Sequence, residues 1–397
     1  MRHTIAIVTP AFTPAEAFGG PVTSIANLTK LLCKKGFNVK VYTTDILDPH
    51  RPRSNSMLPR TEYIDGVTVK RYRPVFCIFG YWVTPTIFKD LLTDQFDIIN
   101  AHSVRSFQFD IAALVSRIRN IKLVANPHGS LYSYGVISAR TRRLLFNVHN
   151  AILKLAFRQA SRIIASSSEE NAQFTRFGVG PDKIFALPNF LDETQFSVLP
   201  PRGEFRKRFG IGSDEKMILF LGRLDRVKGL DILVKAYSKL FEARCNTWLV
   251  IAGPDNGFLG TIQKLLKELN CASRVIMPGP LYGAPKYQAL VDSDFVVLPS
   301  RYESFGISVI EANLCGKPVL ASNVGGLRDL VIEGKTGFLF KVGDVDELAG
   351  RLEELLDRSE DLEQIGKSAR KFALSRYSAY ANGDSLVSIY SHAKDIS

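Results

Sequence analysis

The sequence predicts an α/β protein with two doubly wound parallel sheets. Short β-branched runs alternate with helical stretches along the chain, which is the pattern of βα units. This alternation occurs in two successive series, and each series indicates one sheet covered by helices on both faces. The 397 residues exceed one ordinary hydrophobic core and fit two domains.

The strands expected in the first series lie before residue 190. They are Ile5–Val8, Val39–Thr43, Val67–Arg71, Ile98–Asn100, Leu123–Ala125, Ile163–Ala165 and Ile184–Ala186, with helices such as Ile25–Lys35, Phe107–Arg119 and Arg140–Gln159 between them. The second series comprises Met217–Leu221, Trp248–Ala252, Val275–Met277, Phe295–Leu298, Val319–Ala321 and Gly337–Phe340. A stretch rich in proline and glycine, Phe190–Gly212, is the expected linker. Ligands of such sheets bind outside the carboxyl ends of the strands, so two facing sheets would form a cleft.

Composition excludes several classes of protein. The chain is 46% hydrophobic and 23% charged, which is typical of a globular enzyme and not of a disordered or fibrous chain. No apolar window reaches the ~18 residues of a membrane-spanning helix, and the apolar run at the start is too short for a signal peptide. We therefore expect a cytoplasmic protein. Five scattered cysteines without paired spacing argue against a disulfide framework or a zinc site.

Positive charge is concentrated in the first half of the chain. Residues 1–195 carry a net charge of +10 and the remaining residues +2, out of a total of +12. This asymmetry suggests an anionic partner, such as a phospholipid surface, a lipid-diphosphate carrier or an acidic glycan. Solubility alone is the alternative explanation, and no nucleic-acid partner is expected.

Two glutamates stand eight residues apart where a strand passes into a helix. Glu303 lies in the loop after Phe295–Leu298, and Glu311 lies about a turn and a half into the helix that follows. One such element could grip both hydroxyl-rich ends of a sugar nucleotide. The helix start between the glutamates, at Ser304, Phe305 and Gly306, offers free N–H groups to a phosphate.

A second strand is followed by a basic loop. Arg223 and Lys228 flank a turn after Met217–Leu221, where they could clamp a diphosphate and stabilise the charge on a departing nucleoside diphosphate. Such a clamp replaces a metal ion, and we predict neither a metal nor another cofactor. A basic loop alone could equally be a solvated surface, but its combination with Glu303 and Glu311 favours a binding site.

Three further segments follow strands of the first series. Gly19 and Gly20 precede Pro21 at a helix start, where they would allow a phosphate to approach or form only a tight turn. His128 and His102 each follow a strand at its carboxyl end, where they could bind a sugar or be ordinary loop residues. His149 lies within a helix and is expected to be structural.

Two acidic pairs resemble metal ligands. Asp292 and Asp294 precede the strand Phe295–Leu298, at the edge away from the ligand side, so they are interpreted as a polar helix end. Asp344 and Asp346 are interpreted as the N-cap and a first-turn acid of the next helix.

Two further segments could contact a lipid or a glycan. The helix Arg140–Gln159 places basic beside apolar residues, which fits either a membrane surface or an ordinary helix covering the sheet. The run Val75–Val83 is apolar and aromatic, and it could line a lipid or glycan site or be buried.

Together these residues resemble the retaining glycosyltransferases of family four, the glycosyl transferases group 1 that include glycogen synthase and mannosyltransferases, which have the GT-B fold. The resemblance rests on a set of short motifs spread over most of the chain. They are Gly19-Gly20-Pro21, Pro127-His128-Gly129, Ala165-Ser166, Leu187-Pro188-Asn189 with Asp192, Gly222-Arg223, Lys228-Gly229, Ile251-Ala252-Gly253, Glu303 with Glu311, and Gly325-Gly326-Leu327-Arg328-Asp329. Two positions depart from the family pattern: Phe190 replaces the usual glycine, and Asp329 stands where glutamate is common.

The resemblance implies metal-independent transfer of a hexosyl group from a nucleotide-diphosphate sugar, with retention at the anomeric carbon, to a glycan or lipid-linked acceptor. By the same likeness Arg223 and Lys228 hold the diphosphate, Glu311 the ribose and Glu303 a hydroxyl of the donor sugar. Gly20 and the amides of Phe305 and Gly306 would add phosphate or sugar contacts.

His128, by that likeness, lies near the reacting sugar. The family's last helix returns to the first domain, so the predicted domains are 1–195 with about 377–397, which binds the acceptor, and 196–376, which binds the donor. A role in polysaccharide, lipopolysaccharide or exopolysaccharide synthesis at the inner face of the membrane is the expectation. Two other functions remain open: a sugar-nucleotide epimerase of the same fold, and a non-catalytic subunit that binds nucleotide sugars.

Overall fold

A computed structural model describes residues 3–49, 58–78, 80–131, 140–241 and 246–391, with the backbone alone at residues 140–145 and 359–360. The described residues form two compact units: unit 1 comprises those before residue 191 and those from residue 382 onward, and unit 2 comprises those between residues 191 and 381. The sequence predicted the corresponding domain boundaries after residue 195 and at about residue 377. Phe79, Cys245 and the side chains of Arg140, Arg142 and Arg143, which entered the sequence predictions, lie outside the described part.

Unit 1 contains an eight-stranded sheet and a separate two-stranded hairpin. Its strands are β1 (Thr4–Val8), β2 (Asn38–Thr44), β3 (Thr61–Ile64), β4 (Val67–Tyr72), β5 (Phe76–Ile78), β6 (Tyr81–Val83), β7 (Ile98–His102), β8 (Lys122–Asn126), β9 (Arg162–Ala165) and β10 (Ile184–Ala186). The helices that precede the second unit are α1 (Gly20–Lys34), α2 (Thr86–Thr93), α3 (Phe107–Arg119), α4 (Arg140–Gln159) and α5 (Ser168–Phe177). The sheet order is β10-β9-β8-β7-β1-β2-β4-β3.

The sheet of unit 1 differs from the prediction at one edge. Seven strands are parallel, as expected, but β3 pairs antiparallel with β4. β3 was missed because it lies at the edge of the sheet, and its residues Thr61 and Tyr63 are exposed, so no apolar run marks it. The apolar run Val75–Val83 contains the antiparallel hairpin β5–β6, with Phe76 and Ile78 exposed and Trp82 buried.

Unit 2 contains six parallel strands in the order β13-β12-β11-β14-β15-β16. They are β11 (Lys216–Leu221), β12 (Thr247–Ala252), β13 (Val275–Gly279), β14 (Phe295–Leu298), β15 (Val319–Ser322) and β16 (Gly337–Phe340). The helices are α6 (Glu204–Phe209), α7 (Leu230–Phe241), α8 (Leu259–Glu268), α9 (Ala284–Asp292), α10 (Ile307–Leu314), α11 (Leu327–Leu330), α12 (Val345–Asp357), α13 (Ser359–Tyr377) and α14 (Ala379–Ser391), of which α14 ends in unit 1. This strand order is that of a Rossmann-like sheet, with the topological switch between β11 and β14.

The sheet of unit 2 is buried on both faces. Met217, Leu219 and Leu221 of β11 pack into one apolar cluster with α9 and α10. Ile218 and Phe220 point to the other face and pack with α7, α8 and α12. Side chains alternate along a strand, so helices on both faces require the nearly continuous apolar runs that made these strands predictable.

The last helix is fixed to the first sheet. The Tyr390 hydroxyl donates a buried hydrogen bond of 2.7 Å to the side-chain oxygen of Asn100 in β7. This contact ties the end of α14 to β7 within unit 1.

Candidate active site

The loops that follow β11 and β14 carry most of the predicted site residues of unit 2. These two strands are neighbours in the sheet and flank its switch point. Arg223 and Lys228 follow β11, and Glu303 follows β14. Ligands of open parallel sheets bind outside the carboxyl ends of strands at such a point.

The basic loop packs against the end of β14. Asp225 is buried and caps a short 3-10 helix by accepting from the Lys228 amide at 3.0 Å. The Arg301 amide donates to the Val227 carbonyl at 2.7 Å. Gly229 has φ +68°, and a Cβ there would lie 1.9 Å from the Pro299 carbonyl oxygen, so this close approach requires glycine. The two loops therefore form one packed element.

Lys228 and Glu303 form an ion pair within this element. Lys228 Nζ lies 2.5 Å from Glu303 Oε2, and the two side chains are 18% and 12% exposed. Arg223 is more open, with 39% of its side chain exposed and Nη2 at 3.5 Å from Asp225 Oδ2. The arrangement combines a partly buried cation, an exposed guanidinium and a carboxylate held next to the cation.

Two glycines hold the backbone of Glu303. The Gly326 amide donates to the Glu303 carbonyl at 2.9 Å. A Cβ on Gly325, which has φ +52°, would lie 2.0 Å from the same carbonyl oxygen. The motif Gly325-Gly326 therefore allows the loop that bears Glu303 to pack closely, a structural reason that sequence reasoning had not supplied.

Helix α10 begins where the sequence predicted. Gly306 caps it with φ +109°, and Ile307 is its first residue. The side chain of Phe305 is 3% exposed and packs edge to face on Tyr377, at 5.9 Å between ring centroids. Phe305 thus supports the loop from within the core, and its predicted contribution to binding is confined to its backbone amide.

Glu311 has a partner that sequence reasoning missed. Lys286 Nζ of α9 lies 2.6 Å from Glu311 Oε1, and the side chains are 18% and 9% exposed. Burial lowers the pKa of Lys286, but the attraction of the Glu311 carboxylate outweighs burial and leaves this pKa raised. No signal in the sequence marks Lys286, because it stands in a different βα unit from Glu311.

The two acidic pairs have structural partners. Asp292 is buried and accepts hydrogen bonds from the amides of Gly203 and Arg206, and Asp294 accepts from Arg206 Nη2 at 3.1 Å. Helix α9 ends at Asp292, which confirms the interpretation of this segment as a polar helix end. Asp344 caps α12 by accepting from the Glu347 amide, as predicted.

In unit 1 the two predicted histidines meet. His102 Nδ1 lies 2.8 Å from His128 Nε2, and His102 is completely buried. Burial lowers the pKa of His128 to about 4. Burial, together with the nearby His128, holds the pKa of His102 well below its usual value. Both imidazoles are therefore neutral at pH 7. His149, expected to be structural, lies 3.0 Å from Asp110 Oδ2.

The turn that carries His128 is fixed by Glu170, a residue the sequence did not single out. One carboxylate oxygen of Glu170 accepts from the Gly129 amide, and the other accepts from the Ser166 amide at 2.8 Å. Burial raises the pKa of Glu170, and these hydrogen bonds oppose the shift. Glu170 thus ties the end of β9 to the turn after β8.

Gly19 and Gly20 form the start of α1. Gly19 has φ +79° and is the N-cap, with Pro21 in the first turn. Ser24 Oγ donates to Asn189 Oδ1 at 2.5 Å, which joins this helix start to the Leu187-Pro188-Asn189 motif. The structure therefore places Gly19, Gly20, His102 and His128 in unit 1, and Arg223, Lys228, Ser304–Gly306 and Glu311 with Glu303 in unit 2.

Comparison with known proteins defines the class. The model of the Glycosyltransferase Family 4 matches residues 18–195, and the model of the Glycosyl transferases group 1 matches residues 201–372. An uncharacterized glycosyltransferase of Methanocaldococcus jannaschii is 27% identical over 404 residues, which cover 99% of each chain. The chain belongs to the group 1 glycosyltransferases and is a glycosyltransferase of the GT-B type.

Solved structures share the fold along the whole chain. Sucrose-phosphate synthase from Thermosynechococcus elongatus superposes with a TM-score of 0.79 at 21% identity and covers 100% of both chains. HepE of Anabaena in complex with UDP-glucose has a TM-score of 0.78 at 22% identity, over 98% of this chain and 99% of that one. These similarities confirm the predicted fold class, GT-B with two Rossmann-like units.

Proposed function

We propose that this glycosyltransferase moves a hexosyl group from a nucleotide-diphosphate sugar to a hydroxyl of a glycan or lipid-linked acceptor, with retention at the anomeric carbon and without a metal. The observation that supports this most is the Lys228–Glu303 pair beside Arg223 at the switch point of unit 2. A cation that can turn to a phosphate, next to a carboxylate that can accept from a sugar hydroxyl, suits the junction between diphosphate and sugar.

Each residue has a proposed role in this reaction. Arg223 and Lys228 stabilise the negative charge that develops on the leaving nucleoside diphosphate. In other enzymes a bound metal ion has this role. Glu303 orients the donor sugar. Glu311, held by Lys286, accepts from the ribose hydroxyls through its second oxygen. The amides of Ser304, Phe305 and Gly306 at the start of α10 add hydrogen bonds to phosphate or sugar.

Gly19 and Gly20 at the start of α1 are proposed to give phosphate access to the backbone. His128 is proposed to contact a sugar hydroxyl of the substrate. In the chemical step the bond between the anomeric carbon and the phosphate oxygen breaks while the acceptor oxygen bonds to the same carbon from the same face. The acceptor proton passes to the departing phosphate oxygen, so the step needs no separate base.

A donor screen tests the proposal. Nucleotide sugars are ranked by the rise they cause in the melting temperature, since a ligand that binds only the folded protein stabilises it. The best donor is then incubated with candidate acceptors, and the anomeric configuration of the product is read by NMR. An axial donor giving an axial linkage supports retention, and inversion contradicts it.

Two rival functions give different outcomes in this screen. An epimerase produces a new sugar isomer from the donor without any acceptor. A non-catalytic binding subunit shows a shift in melting temperature but no turnover with any acceptor. The transferase predicts acceptor-dependent release of nucleoside diphosphate, and Glu303→Gln and Lys228→Ala should each abolish most of it while the protein stays folded.

For the acceptor side, we propose contact with an anionic membrane surface through α3 and α4. Helix α4 contains no aspartate or glutamate, and Val148, Ile152 and Leu155, at helical spacing, are 55%, 47% and 51% exposed. Gln159 Nε2 of α4 donates to the Ala113 carbonyl of α3, and the next residue of α3, Leu114, is also exposed. Among the described helices, none has the length and apolar content needed to cross a bilayer.

Cations border the apolar stripe on α4. Lys154 and Arg158, one turn apart and exposed, line an open pocket of about 230 Å³ together with Lys183 and Phe177. An apolar stripe bordered by lysine and arginine favours the boundary between acyl chains and anionic headgroups, where each cation contributes about 1 kcal/mol. This face is the proposed site of peripheral membrane contact, consistent with a lipid-linked acceptor.

Co-sedimentation with vesicles tests the membrane contact. The wild type should bind vesicles that contain anionic phospholipid and not neutral vesicles. Ile152→Ser combined with Leu155→Ser, and Lys154→Glu combined with Arg158→Glu, should each weaken binding by about tenfold or more. Tyr63→Ser removes an aromatic side chain that is 74% exposed on β3 and serves as the control. Equal binding by all variants would contradict the assignment to this face.

A further inference from the structure

We infer that His102 is a positioning residue that holds His128 in one tautomer, with the proton on Nδ1, so that His128 donates a hydrogen bond to a sugar hydroxyl. The inference deepens the proposed function and depends on it for the identity of the substrate. It starts from the geometry of the two rings, which lie at the ends of adjacent strands, β7 and β8.

The rings meet edge to edge. Their planes are inclined by 17°, their centroids are 5.1 Å apart and the facing nitrogens are 2.8 Å apart. Parallel rings stacked face to face would not bring two nitrogens this close at that centroid distance. The line that joins the two nitrogens therefore lies near both ring planes. This is the geometry of a direct hydrogen bond between two neutral imidazoles.

Burial decides which ring donates. His102 Nε2 is buried and has no hydrogen-bond partner among the described residues. If His128 donated from Nε2, neutral His102 would carry its proton on this buried Nε2, where the N–H would find no acceptor. If His102 donates from Nδ1, its Nε2 is only an unshared lone pair. Orphaned buried N–H donors are rarer than unsatisfied acceptors, so His102 is the donor.

The direction of this bond sets the chemistry of His128. Its Nε2 accepts from His102, so its own proton lies on Nδ1, the nitrogen that makes no hydrogen bond within the described chain. His128 is partly exposed while His102 is completely buried, so His128 is the member that can reach a ligand. An Nδ1–H group there donates to a hydroxyl oxygen and cannot accept from one.

The surrounding backbone is built to keep this arrangement. His128 and Ser103 adopt φ values of +51° and +57°, a region that residues other than glycine rarely enter. The Ser103 amide donates to the Asn126 carbonyl at 3.0 Å, which links the two strand ends that carry the histidines. Glu170 holds the Gly129 amide on the other side. Unfavourable backbone conformations that are held in place in this way are a feature of functional sites.

NMR of the wild-type protein labelled with ¹⁵N-histidine tests the tautomer without any substrate. His128 signals are assigned by their loss in His128→Gln. We expect Nδ1 of His128 in the range of a protonated nitrogen and Nε2 in that of an unprotonated nitrogen, at pH 7. A protonated Nε2 in His128 would overturn the inference. This measurement is independent of activity, so it separates the inference from the proposed function.

Kinetics test the positioning role. His102→Phe keeps a ring but removes the donor, and should lower kcat about ten- to hundredfold with little change in the KM of the donor substrate, since a misdirected group near the reaction costs rate. His102→Asn retains an N–H near the position of Nδ1 and should restore most of kcat and the Nδ1–H tautomer. Wild-type kcat in a folded His102→Phe protein, or no recovery in a folded His102→Asn protein, would overturn the inference.

Discussion

Lys228 Nζ lies 2.5 Å from Glu303 Oε2, although the two residues are 75 positions apart and belong to loops after different strands. The pair couples the proposed diphosphate site to the proposed sugar site. When a phosphate binds Lys228, the carboxylate competes with it for the same ammonium group. Loss of the charge on Glu303 and loss of the charge on Lys228 should therefore change the affinity for nucleoside diphosphate in opposite directions.

Glu303→Gln should leave Lys228 uncompensated and so strengthen nucleoside diphosphate binding up to about tenfold, while transfer falls severely. Lys228→Met should weaken the same binding by about ten- to hundredfold, because it removes a charged hydrogen bond of roughly 1.5–3 kcal/mol. Calorimetric titration with the nucleoside diphosphate of the preferred donor measures both. Lys341→Met, at a side chain that is 78% exposed, is the control. A loss of binding in Glu303→Gln would contradict competition.

Gly325→Ala should damage activity more than stability. A Cβ there would lie 2.0 Å from the Glu303 carbonyl oxygen, so the loop that bears Glu303 must shift. We expect kcat to fall by about a hundredfold, since a displacement of about 1 Å can cost that much. Gly334→Ala is a matched control: its φ of +68° imposes similar backbone strain, but nothing lies within 4 Å of its Cβ. Equal activity losses in both variants would show that strain, and not displacement of Glu303, is the cause.

The architecture was predictable because buried strands appear in the sequence as apolar runs. The parallel strands of unit 2 are buried on both faces, so each is an unbroken apolar run such as Phe295–Leu298. β3 escaped prediction because an exposed edge strand has no such run. The hairpin β5–β6 falls within an apolar run, but an apolar run does not specify that two strands pair within it.

The positions of the candidate site residues could be predicted from the sequence, but their side-chain pairs could not. Arg223, Lys228 and Glu303 lie in loops that follow strands, and Glu311 lies in the helix after one of these loops. The order of elements reveals these positions. Lys286 and Glu311 are 25 residues apart, and His102 and His128 are 26 residues apart, in each case on different βα units. Such contacts depend on strand order and register, which local periodicity leaves undetermined.

Arg206→Met should destabilise unit 2 by about 3–5 kcal/mol, because it leaves buried groups without their partner. Arg206 is 4% exposed and donates to the carbonyls of Asp292, Gly212 and Glu215 as well as to Asp294. Arg202→Met is the matched control, because Arg202 is 59% exposed and 3.7 Å from Asp294. Urea denaturation measures the change, and equal effects of the two substitutions would contradict the role of burial.

Burial makes the charged form of Lys317 less stable. Burial lowers the pKa of Lys317 to about 8, and the nearby Arg202 acts in the same direction. Its Nζ donates to the Ser293 carbonyl at 2.7 Å, which fixes the side chain in place. In the unfolded chain a lysine titrates near 10.4, so the unfolded state binds more protons than the folded state between pH 8 and about 10.4.

The contribution of Lys317 to the free energy of unfolding should therefore increase with pH across this window. The reason is that stability rises with pH wherever the unfolded state binds more protons than the folded state. Lys317→Met removes the charge and should stabilise the protein by about 3 kcal/mol at pH 7, less the roughly 1 kcal/mol that the lost hydrogen bond contributes. The advantage over the wild type should shrink between pH 8 and 10, because wild-type Lys317 becomes neutral there. Urea midpoints at pH 7, 8, 9 and 10 give the difference, with the exposed Lys335→Met as control. A difference between Lys317→Met and wild type that stays constant over this range would show that Lys317 does not titrate there.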